Sequence, residues 1–204
     1  MDYNNSVLLR AGLLTARVIT GASDKIQAHR LRYRVYCEEL GWRPLSIDKL
    51  ERDAYDNNES AFLGVFDEKG ELLSFLRVNR YYYLMDSGFN EFSSYRMKFE
   101  RSKYAAEITR FCVERSARAA QTSESAGELI IEFLVEFCKQ NNIGVIYFVV
   151  EPKTFVFLRN IGMGAEKMSG IKIMDDGCKA LLASFRIDRF KKNRLSRYKI
   201  KSAS

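Results

Sequence analysis

Apolar residues recur along the chain in the short runs typical of strands and at the spacings of three and four residues typical of helices. The first such run, residues 13–20, predicts a strand. Residues 21–40 predict a helix that Ser23 or Asp24 caps and that ends at Gly41. Small polar residues favour the N-terminus of a helix, and glycine favours the position just after its last turn.

A hairpin and a βαβ unit account for most of the remaining pattern. Residues 61–67 and 71–84 predict two strands joined by a glycine turn. Leu129, Phe133 and Phe137 recur at spacings of four and predict an amphipathic helix. The other predicted elements are a loop at 43–60, a strand at 105–114, the helix at 123–142, a strand at 143–151, a helix at 152–162 and strands at 171–176 and 181–190. This order predicts an α/β fold with helices packed on a mixed, mostly antiparallel sheet.

Composition narrows the class of protein. The 204 residues are 47% hydrophobic and 29% charged, which predicts one domain over residues 1–204 with a sizeable core. One histidine, His29, and cysteines without a CxxC pair disfavour a metal site and predict free thiols in a cytoplasmic protein. Because no signal peptide or membrane-spanning run is present in the sequence, we expect no membrane insertion.

The net charge of +7 is concentrated in a basic tail at about residues 189–204. Three interpretations remain open: a solubilising tail, a nucleic-acid-binding surface, and a docking surface for an acidic protein.

Familiar catalytic motifs are missing from the sequence. GxxxxGK[ST], GxGxxG and GxSxG do not occur, and one histidine makes histidine-based acid–base chemistry improbable. An enzyme built from this chain would therefore move protons with carboxylates, tyrosines or water, and would orient its substrate with arginines.

Charged residues gather at the predicted element ends. Arg32 and Tyr36 share a helix face, because residues four apart are neighbours on a helix. Glu51, Asp53 and Asp56 lie in one short loop. These residues form either a partly buried ion network, which needs full pairing, or ordinary surface pairs worth little.

Three further residues fit the same pattern from within predicted strands. Arg77 lies in an apolar strand, and Glu107 and Arg110 are three positions apart in another. Residues three apart in an ideal strand point to opposite faces, so either one of them faces the core or the strand carries a bulge.

The ordered set resembles a known signature. Arg32-x3-Tyr36-x5-Trp42 is followed by Glu51-x-Asp-x2-Asp56, by an arginine strand and by a Glu-x2-Arg-Phe segment at residues 107–111. Together they resemble the acyl-homoserine-lactone synthase family, which usually carries Phe where Tyr36 stands. The resemblance implies a GNAT-like (acyl-CoA N-acyltransferase-like) α/β/α sandwich and an acyltransferase. Residues 157–163, FLRNIGM, also resemble a GNAT helix.

The arginine strand departs from that family. It reads LRVNRYYYLM from Leu76, where the autoinducer synthases usually have Arg-Leu-Leu-Pro-Thr. The sequence is also similar to the long-chain N-acyl amino acid synthases, including N-acyltyrosine synthases, which acylate a free amino acid. We favour this branch, with acyl-homoserine-lactone synthesis from S-adenosylmethionine as the alternative. A nucleic-acid-binding module and an inactive GNAT scaffold are the remaining alternatives.

The acyl donor follows partly from the sequence. GNAT enzymes that use coenzyme A carry a Gln/Arg-x-x-Gly-x-Gly/Ala loop at a helix N-terminus, where backbone amides hold the pyrophosphate. The corresponding residues 113–130 contain only Gly127. We therefore expect acyl-phosphopantetheine delivered by acyl carrier protein, and no further cofactor.

The resemblance implies roles for individual residues. Glu107 is the first choice and Glu51 the second for the base that deprotonates the amine, although Glu107 also suits a structural salt bridge with Arg77 or Arg110. Backbone amides near Phe111 would polarise the carbonyl. Residues expected at the substrates are Arg32, Tyr36, Trp42, Arg77, Thr109, Arg110, Phe111, Cys112 and Phe148.

Cys112 is expected to pack rather than to act as a nucleophile, since no histidine stands near it in the pattern. Trp42, Phe111 and Phe148 would wall the acyl chain or simply form core. The run Tyr81, Tyr82 and Tyr83 suits either an aromatic acceptor or a strand surface. Candidate docking residues for the acidic carrier, or merely surface charges, are Arg115, Arg118, Lys153, Lys191, Lys192 and Arg194.

Overall fold

A computed structural model describes residues 7–80, 91–92, 94–95, 102–119, 125–175, 177–191 and 199–200. The candidate residues Tyr81, Tyr82, Tyr83, Lys192 and Arg194 lie outside the described residues.

Strands make up most of the regular structure. In chain order they are β1 Leu8–Ala11, β2 Leu14–Val18, β3 Ser60–Phe66, β4 Leu72–Asn79, β5 Ala105–Val113, β6 Val145–Val150, β7 Glu166–Lys167, β8 Lys172–Ile173, β9 Lys179–Arg186 and β10 Lys199–Ile200. The helices are α1 Ala22–Tyr33, α2 Arg115–Ala119, α3 Ala126–Gln140 and α4 Pro152–Asn160. A π-helical segment, Arg34–Glu39, continues α1, and a 3-10 turn covers Ile187–Arg189.

The described strands form one mixed sheet. Its order is β10-β1-β2-β3-β4-β5-β6-β9-β7, and β8 pairs with β9 to one side. Among these strands β5 and β6 run parallel and the other neighbours run antiparallel. This agrees with the predicted α/β fold, a mixed, mostly antiparallel sheet with a βαβ crossover, as the resemblance to GNAT-like enzymes implies.

Parallel pairing between β5 and β6 is short. It joins Ala105 to Val145, Ala106 to Ile146 and Glu107 to Tyr147, whereas β6 pairs with β9 along its whole length. Beyond Glu107 the two strands therefore diverge and leave a gap in the middle of the sheet.

Helices cover both faces of the sheet. On one face α3 buries Leu129, Phe133 and Phe137 completely, as the spacing of four predicts. Ser125 caps this helix, because its side chain accepts a hydrogen bond from the backbone N–H of Glu128. On the other face Leu31 of α1 packs in an apolar cluster with residues of β3, β4 and β5.

The chain start and the first helix differ from expectation. The strand predicted at 13–20 is present as β2, but β1 precedes it in a hairpin that the sequence pattern did not predict, and β1 also pairs with β10. Helix α1 has Gly21 at its N-cap, so neither Ser23 nor Asp24 serves as the cap. The apolar pattern of these residues is too short to show such details, and the short elements α2, β7 and β10 were missed for the same reason.

Candidate active site

A β-bulge on β5 determines which residues face the site. Phe75 on β4 pairs with Cys112, but Arg77 pairs with Thr109, so β5 contains one extra residue between these pairs. Arg110 lies in this bulge with a φ of 58°, a left-handed backbone conformation that residues with a side chain rarely adopt. The bulge turns Arg110 to the face that carries Arg77. The sequence left two alternatives open: Glu107 and Arg110 point to opposite faces of the strand, or the strand carries a bulge. The structure contains the bulge.

Arg32 anchors the acidic loop to helix α1. Its Nη1 donates to Asp56 Oδ1 at 2.6 Å, and its Nε donates to Glu51 Oε2 at 2.5 Å. The Arg32 side chain is fully buried. Residues 51–56 of the loop are thus held against the helix by charge-assisted hydrogen bonds, which are stronger than neutral ones.

Two more arginines complete the network from the sheet. Arg77 Nη1 donates to Asp53 Oδ1 at 2.5 Å and to Asp56 Oδ1 at 2.6 Å. Arg110 Nη2 lies 2.9 Å from Glu51 and 2.7 Å from Asp53. Three guanidinium groups and three carboxylates therefore neutralise one another, and the predicted buried ion network is present.

Two carboxyl groups of the network, those of Asp53 and Asp56, are strongly held in their ionised form. Burial raises the pKa of Asp56, but the hydrogen bond and the charge of Arg32 outweigh it and lower the pKa to about 2. Asp53 is likewise buried, and Arg77 and Arg110 lower its pKa below the ordinary value. Opposite charges at contact distance favour the charged form of a carboxyl group.

The π-helical segment places Tyr36 and Trp42 side by side. The backbone carbonyl of Tyr36 accepts hydrogen bonds from the N–H groups of Trp42 at 2.9 Å and Arg43 at 3.1 Å. The two rings lie 5.9 Å apart between centroids. Tyr36 Oη donates to the carbonyl oxygen of Phe111 in the bulge at 2.8 Å. π-Helical turns are often found at functional sites.

The gap between β5 and β6 opens into a cavity of about 570 Å³. Residues of β5, β6, α3, α4 and the π-helical segment line it, together with the chain around β8 and β9. Tyr36, Trp42, Thr109, Arg110, Phe111, Cys112 and Phe148 are among the lining residues, as is Glu107.

Side chains from both faces of the sheet meet in this cavity. Because strand residues alternate, Glu107 and Thr109 lie on one face and Ile108 on the other. On the α3 face the lining is apolar and consists of Ile108, Ile131, Leu134, Ile146, Phe148, Phe157, Leu158 and Met163. We call this part the apolar arm. A carboxylate, Glu107, thus stands beside a gap that leads to the apolar arm.

Comparison with known proteins identifies the class of site. The autoinducer synthase family model matches residues 16–195. The chain belongs to the autoinducer synthase family. It is 23% identical over 154 residues to an acyl-homoserine-lactone synthase of Vibrio anguillarum, covering 74% of this chain and 79% of that protein.

Solved structures share the fold of this autoinducer synthase family member. BjaI, a CoA-dependent acyl-homoserine lactone synthase, has a TM-score of 0.70 and 19% identity, covering 81% of this chain and 77% of its own. FeeM, an N-acyl amino acid synthase from uncultured soil microbes, has a TM-score of 0.64 and 15% identity, covering 89% of this chain and 93% of its own. The family match shows that the chain is an acyltransferase, and these neighbours show that it shares their fold.

In this family member, Arg32 anchors the acidic loop, and Arg77 binds the same loop from the sheet. Both side chains are fully buried and lie outside the described lining of the cavity. Arg77 Nε also donates to Thr109 Oγ1 at 3.0 Å. Because their guanidinium groups already bind carboxylates of the loop, we reassign both arginines from substrate binding to support of the site.

The two candidate bases, Glu51 and Glu107, differ in whether they line the cavity. Glu51 is buried, and both of its carboxylate oxygens bind guanidinium groups, from Arg32 and Arg110. Glu51 also lies outside the described lining of the cavity, so the geometry disfavours it as the base. Glu107 is buried and lines the cavity. Because Glu107 lines the cavity and Glu51 does not, Glu107 stays the candidate base of this acyltransferase.

The thiols of the acyltransferase are free, as predicted. Burial raises the pKa of Cys112 to about 12, so this thiol stays protonated at neutral pH and packs rather than reacts. No group of three or more His, Cys, Asp or Glu within the described residues could hold a metal ion. A search of the described helices found none with the length and apolar character that crossing a membrane requires.

Two of the docking candidates line the cavity, and two others are exposed on the surface. Arg118 and Lys153 line the cavity, and Arg115 is exposed at the start of α2. Arg118 pairs with Glu39 of the π-helical segment, and Lys153 pairs with Glu151 at 3.1 Å. Lys191 is exposed after the 3-10 turn.

Sequence reasoning missed part of the acyltransferase cavity. Ser125 and Gly127 line it from the N-terminus of α3, and Met174, Cys178 and Ala180 line it from the chain around β8 and β9. The helix cap signal at Ser125 was available in the sequence. The hydrophobic pattern gives no signal for Met174, Cys178 and Ala180, because their place in the cavity wall depends on where β5 and β6 separate.

Proposed function

We propose that this acyltransferase moves a long-chain fatty acyl group from an acyl carrier protein thioester to the amino group of a free amino acid, with tyrosine as the first candidate. The observation that carries the proposal is the cavity between β5 and β6, where Glu107 adjoins the apolar arm. An acyl chain needs an apolar wall, and amine attack needs a proton acceptor near the carbonyl.

The apolar arm supports a long acyl chain. Its wall consists of aliphatic and aromatic side chains from α3, α4 and β6, and most of them are buried in the main core. Burying each methylene of a chain in such surroundings contributes about 0.8 kcal/mol. A short acyl group would leave much of the 570 Å³ unfilled.

The carrier protein is favoured as donor by the residues at the N-terminus of α3. Only Gly127 occurs between residues 113 and 130, so the glycine-rich loop that holds a coenzyme A pyrophosphate is missing from the sequence. Arg115, Arg118, Lys153 and Lys191 offer basic side chains to an acidic carrier. Coenzyme A, which BjaI is described as using, is the competing donor and belongs in the assay.

The acceptor is argued from the arginine strand and from Tyr36. Val78 and Asn79 follow Arg77 where the lactone-forming relatives usually continue with Leu-Leu-Pro-Thr. Tyr36 stands where Phe is usual in them. Acyl-homoserine-lactone synthesis from S-adenosylmethionine remains the second candidate, and the family match and the Vibrio anguillarum relative favour it.

The proposed reaction is direct transfer. The ammonium group of the acceptor loses one proton to Glu107, directly or through a water, and the neutral amine attacks the thioester carbonyl carbon. A C–N bond forms, the C–S bond breaks, and the carrier thiolate leaves and takes up the second proton, which the attacking nitrogen releases as it becomes an amide. The tetrahedral oxyanion between these steps would bind backbone amides of the bulge near Phe111 and Cys112.

The cytoplasmic location that the sequence predicts stays a prediction.

A donor–acceptor matrix tests the proposal. Purified full-length protein is incubated with acyl carrier protein and coenzyme A thioesters of several chain lengths, and with S-adenosylmethionine or each free amino acid as acceptor. Mass spectrometry identifies the product. N-acyl amino acid from long-chain carrier thioester supports the proposal, and lactone from S-adenosylmethionine would overturn it. No product from any donor would exclude both candidates.

A further inference from the structure

The β5 bulge holds its backbone in an unfavourable conformation next to the reacting groups. Arg110 has a φ of 58°, which costs free energy for a residue with a side chain. The same bulge interrupts the ladder, because two residues of β5, Arg110 and Phe111, lie opposite one residue of β4, Leu76. Such a conformation persists only where surrounding contacts fix it.

Tyr36 makes contacts that fix this bulge from outside the sheet. Its hydroxyl donates to the carbonyl oxygen of Phe111 at 2.8 Å. Its ring lies under the guanidinium of Arg110, with 5.6 Å from Cζ to the ring centroid. A second hydroxyl, Ser74 Oγ, donates to the carbonyl oxygen of Cys112 at 3.1 Å. Two successive carbonyls of the bulged segment are therefore held by side-chain hydroxyl groups.

Holding a carbonyl also fixes the amide of the same residue. In a strand the N–H and C=O of one residue point to the same side, so the hydroxyl that holds the Phe111 carbonyl also fixes the Phe111 N–H, whereas the Cys112 N–H points the opposite way, toward Phe75 of β4. Phe111 and Cys112 both line the cavity. A carbonyl oxygen left without a donor at this wall would also repel the oxygen of an incoming thioester. The Tyr36 hydroxyl satisfies that oxygen.

We propose that Tyr36 is a positioning residue that locks the β5 bulge so that the Phe111 backbone amide receives the thioester carbonyl oxygen. The inference rests on the proposed acyl transfer and goes beyond it, because it assigns to the Tyr36 hydroxyl a role that a phenylalanine at this position cannot fill. The π-helical segment is what brings Tyr36 to the bulge while its neighbour Trp42 forms the wall of the cavity.

Tyr36→Phe is the test, because it removes the hydroxyl and keeps the ring against Arg110 and Trp42. We expect kcat with the preferred donor to fall about tenfold, because misplaced oxyanion donors slow acyl transfer, while KM for the donor changes less than about twofold. Tyr104→Phe is the control, because Tyr104 is about half exposed and lies outside the described cavity lining. Thermal melting of both variants checks that they fold.

Two unreactive donor analogues separate positioning from general packing. In one a methylene replaces the thioester sulfur and leaves a ketone, and in the other a thioether lacks the carbonyl oxygen. We expect Tyr36→Phe to weaken binding of the ketone about fivefold and to leave binding of the thioether unchanged, since only the ketone presents an oxygen to the bulge. Equal losses for both analogues, or no loss for either, would overturn the inference.

Hydrogen exchange of the backbone amides gives a readout that needs no substrate. Tyr36→Phe should raise exchange at residues 110–113 and leave α3 unchanged, and protection equal to the wild type would also overturn the inference. If the wild type transfers no acyl group from any donor, the proposed function fails, and the exchange at residues 110–113 still decides whether Tyr36 locks the bulge.

Discussion

Arg110 and Glu51 form a two-pronged contact across the candidate site. Arg110 Nε and Nη2 donate to the same carboxylate oxygen, Glu51 Oε1, at 3.1 and 2.9 Å. The contact joins the bulge of β5 to the acidic loop, and Arg32 binds the other oxygen of Glu51. Glu51 is therefore a connection between three parts of the chain, and its carboxylate is committed to that connection.

Replacing Glu51 should lower the stability of the folded protein rather than remove a catalytic group. Glu51→Gln leaves buried guanidinium charge without its carboxylate, and we expect the free energy of unfolding to fall by about 3 kcal/mol. Urea denaturation followed by circular dichroism measures the loss, with the exposed turn residue Glu68→Gln as control. A variant as stable as the wild type but inactive would instead restore Glu51 as a candidate base.

The ion network should make the protein sensitive to acid in a defined interval. The pKa of Asp56 is about 2 in the folded protein, below its ordinary value of 3.8. A carboxyl with a lowered folded pKa adds stability above the unfolded pKa and loses it as the pH falls toward the folded pKa. We expect the free energy of unfolding to decrease between about pH 4 and pH 2, with Asp56 contributing about 2 kcal/mol of that decrease.

Asp56→Asn tests that assignment. The variant should be less stable than the wild type at pH 7, and its stability should change less between pH 4 and pH 2. Denaturation curves over this interval give both quantities. Asp175→Asn, at an exposed carboxyl, should follow the wild-type curve. A wild-type pH dependence in Asp56→Asn would assign the acid sensitivity to other groups.

The sequence predicted the members of the ion network but only part of their geometry. Helix spacing put Arg32 and Tyr36 on one face, and the loop collected three acids within six residues. The face that Arg110 presents depends on one extra residue in the register between β4 and β5. Register arises from pairing between distant segments, so a local pattern states the alternatives and cannot choose between them.

The cavity was the least predictable feature. Phe148 and Met163 look like ordinary core residues in the sequence, and both do lie in the main core. They also line a cavity because β5 and β6 stop pairing after Glu107 and Tyr147. Where two strands separate is decided by the whole sheet, which is why periodicity gave the strands and missed the opening between them.

Glu107 should govern turnover rather than donor binding. Glu107→Gln keeps the shape of the side chain and removes the proton acceptor, so kcat should fall by about 10²–10⁴-fold with KM for the donor nearly unchanged. Steady-state kinetics at saturating acceptor measures both constants. Glu132→Gln is the matched control, because Glu132 is also buried but lies on α3 outside the described cavity lining. An unaffected kcat would remove Glu107 as the base.

Charge reversal at Arg115 should weaken use of the carrier protein. Arg115 is exposed at the start of α2, beside the cavity mouth that Arg118 lines. Arg115→Glu should lower kcat/KM for the carrier thioester about tenfold at low salt, and the difference should shrink as salt screens the charges. Arg186→Glu, at an exposed arginine that pairs with Asp188, controls for net charge. Equal effects of the two reversals would argue against docking at α2.

Filling the apolar arm should shift the preferred acyl chain length. Leu134 of α3 is fully buried and lines the cavity, so Leu134→Phe occupies space that the end of a long chain would take. We expect the preference in a panel of carrier thioesters to move toward shorter chains. Added volume in a packed core costs about 1–3 kcal/mol of stability. A thermal melt measures this loss, so that it can be distinguished from a change in chain-length specificity.

Leu129→Phe provides that separation. Leu129 is equally buried on the same helix but lies outside the described lining of the cavity. It should lose similar stability while keeping the wild-type chain-length profile, because its added ring enters the core and not the apolar arm. If both variants shorten the preferred chain to the same extent, general loosening of α3 explains the shift. If Leu134→Phe keeps the wild-type profile, the acyl chain does not lie against Leu134.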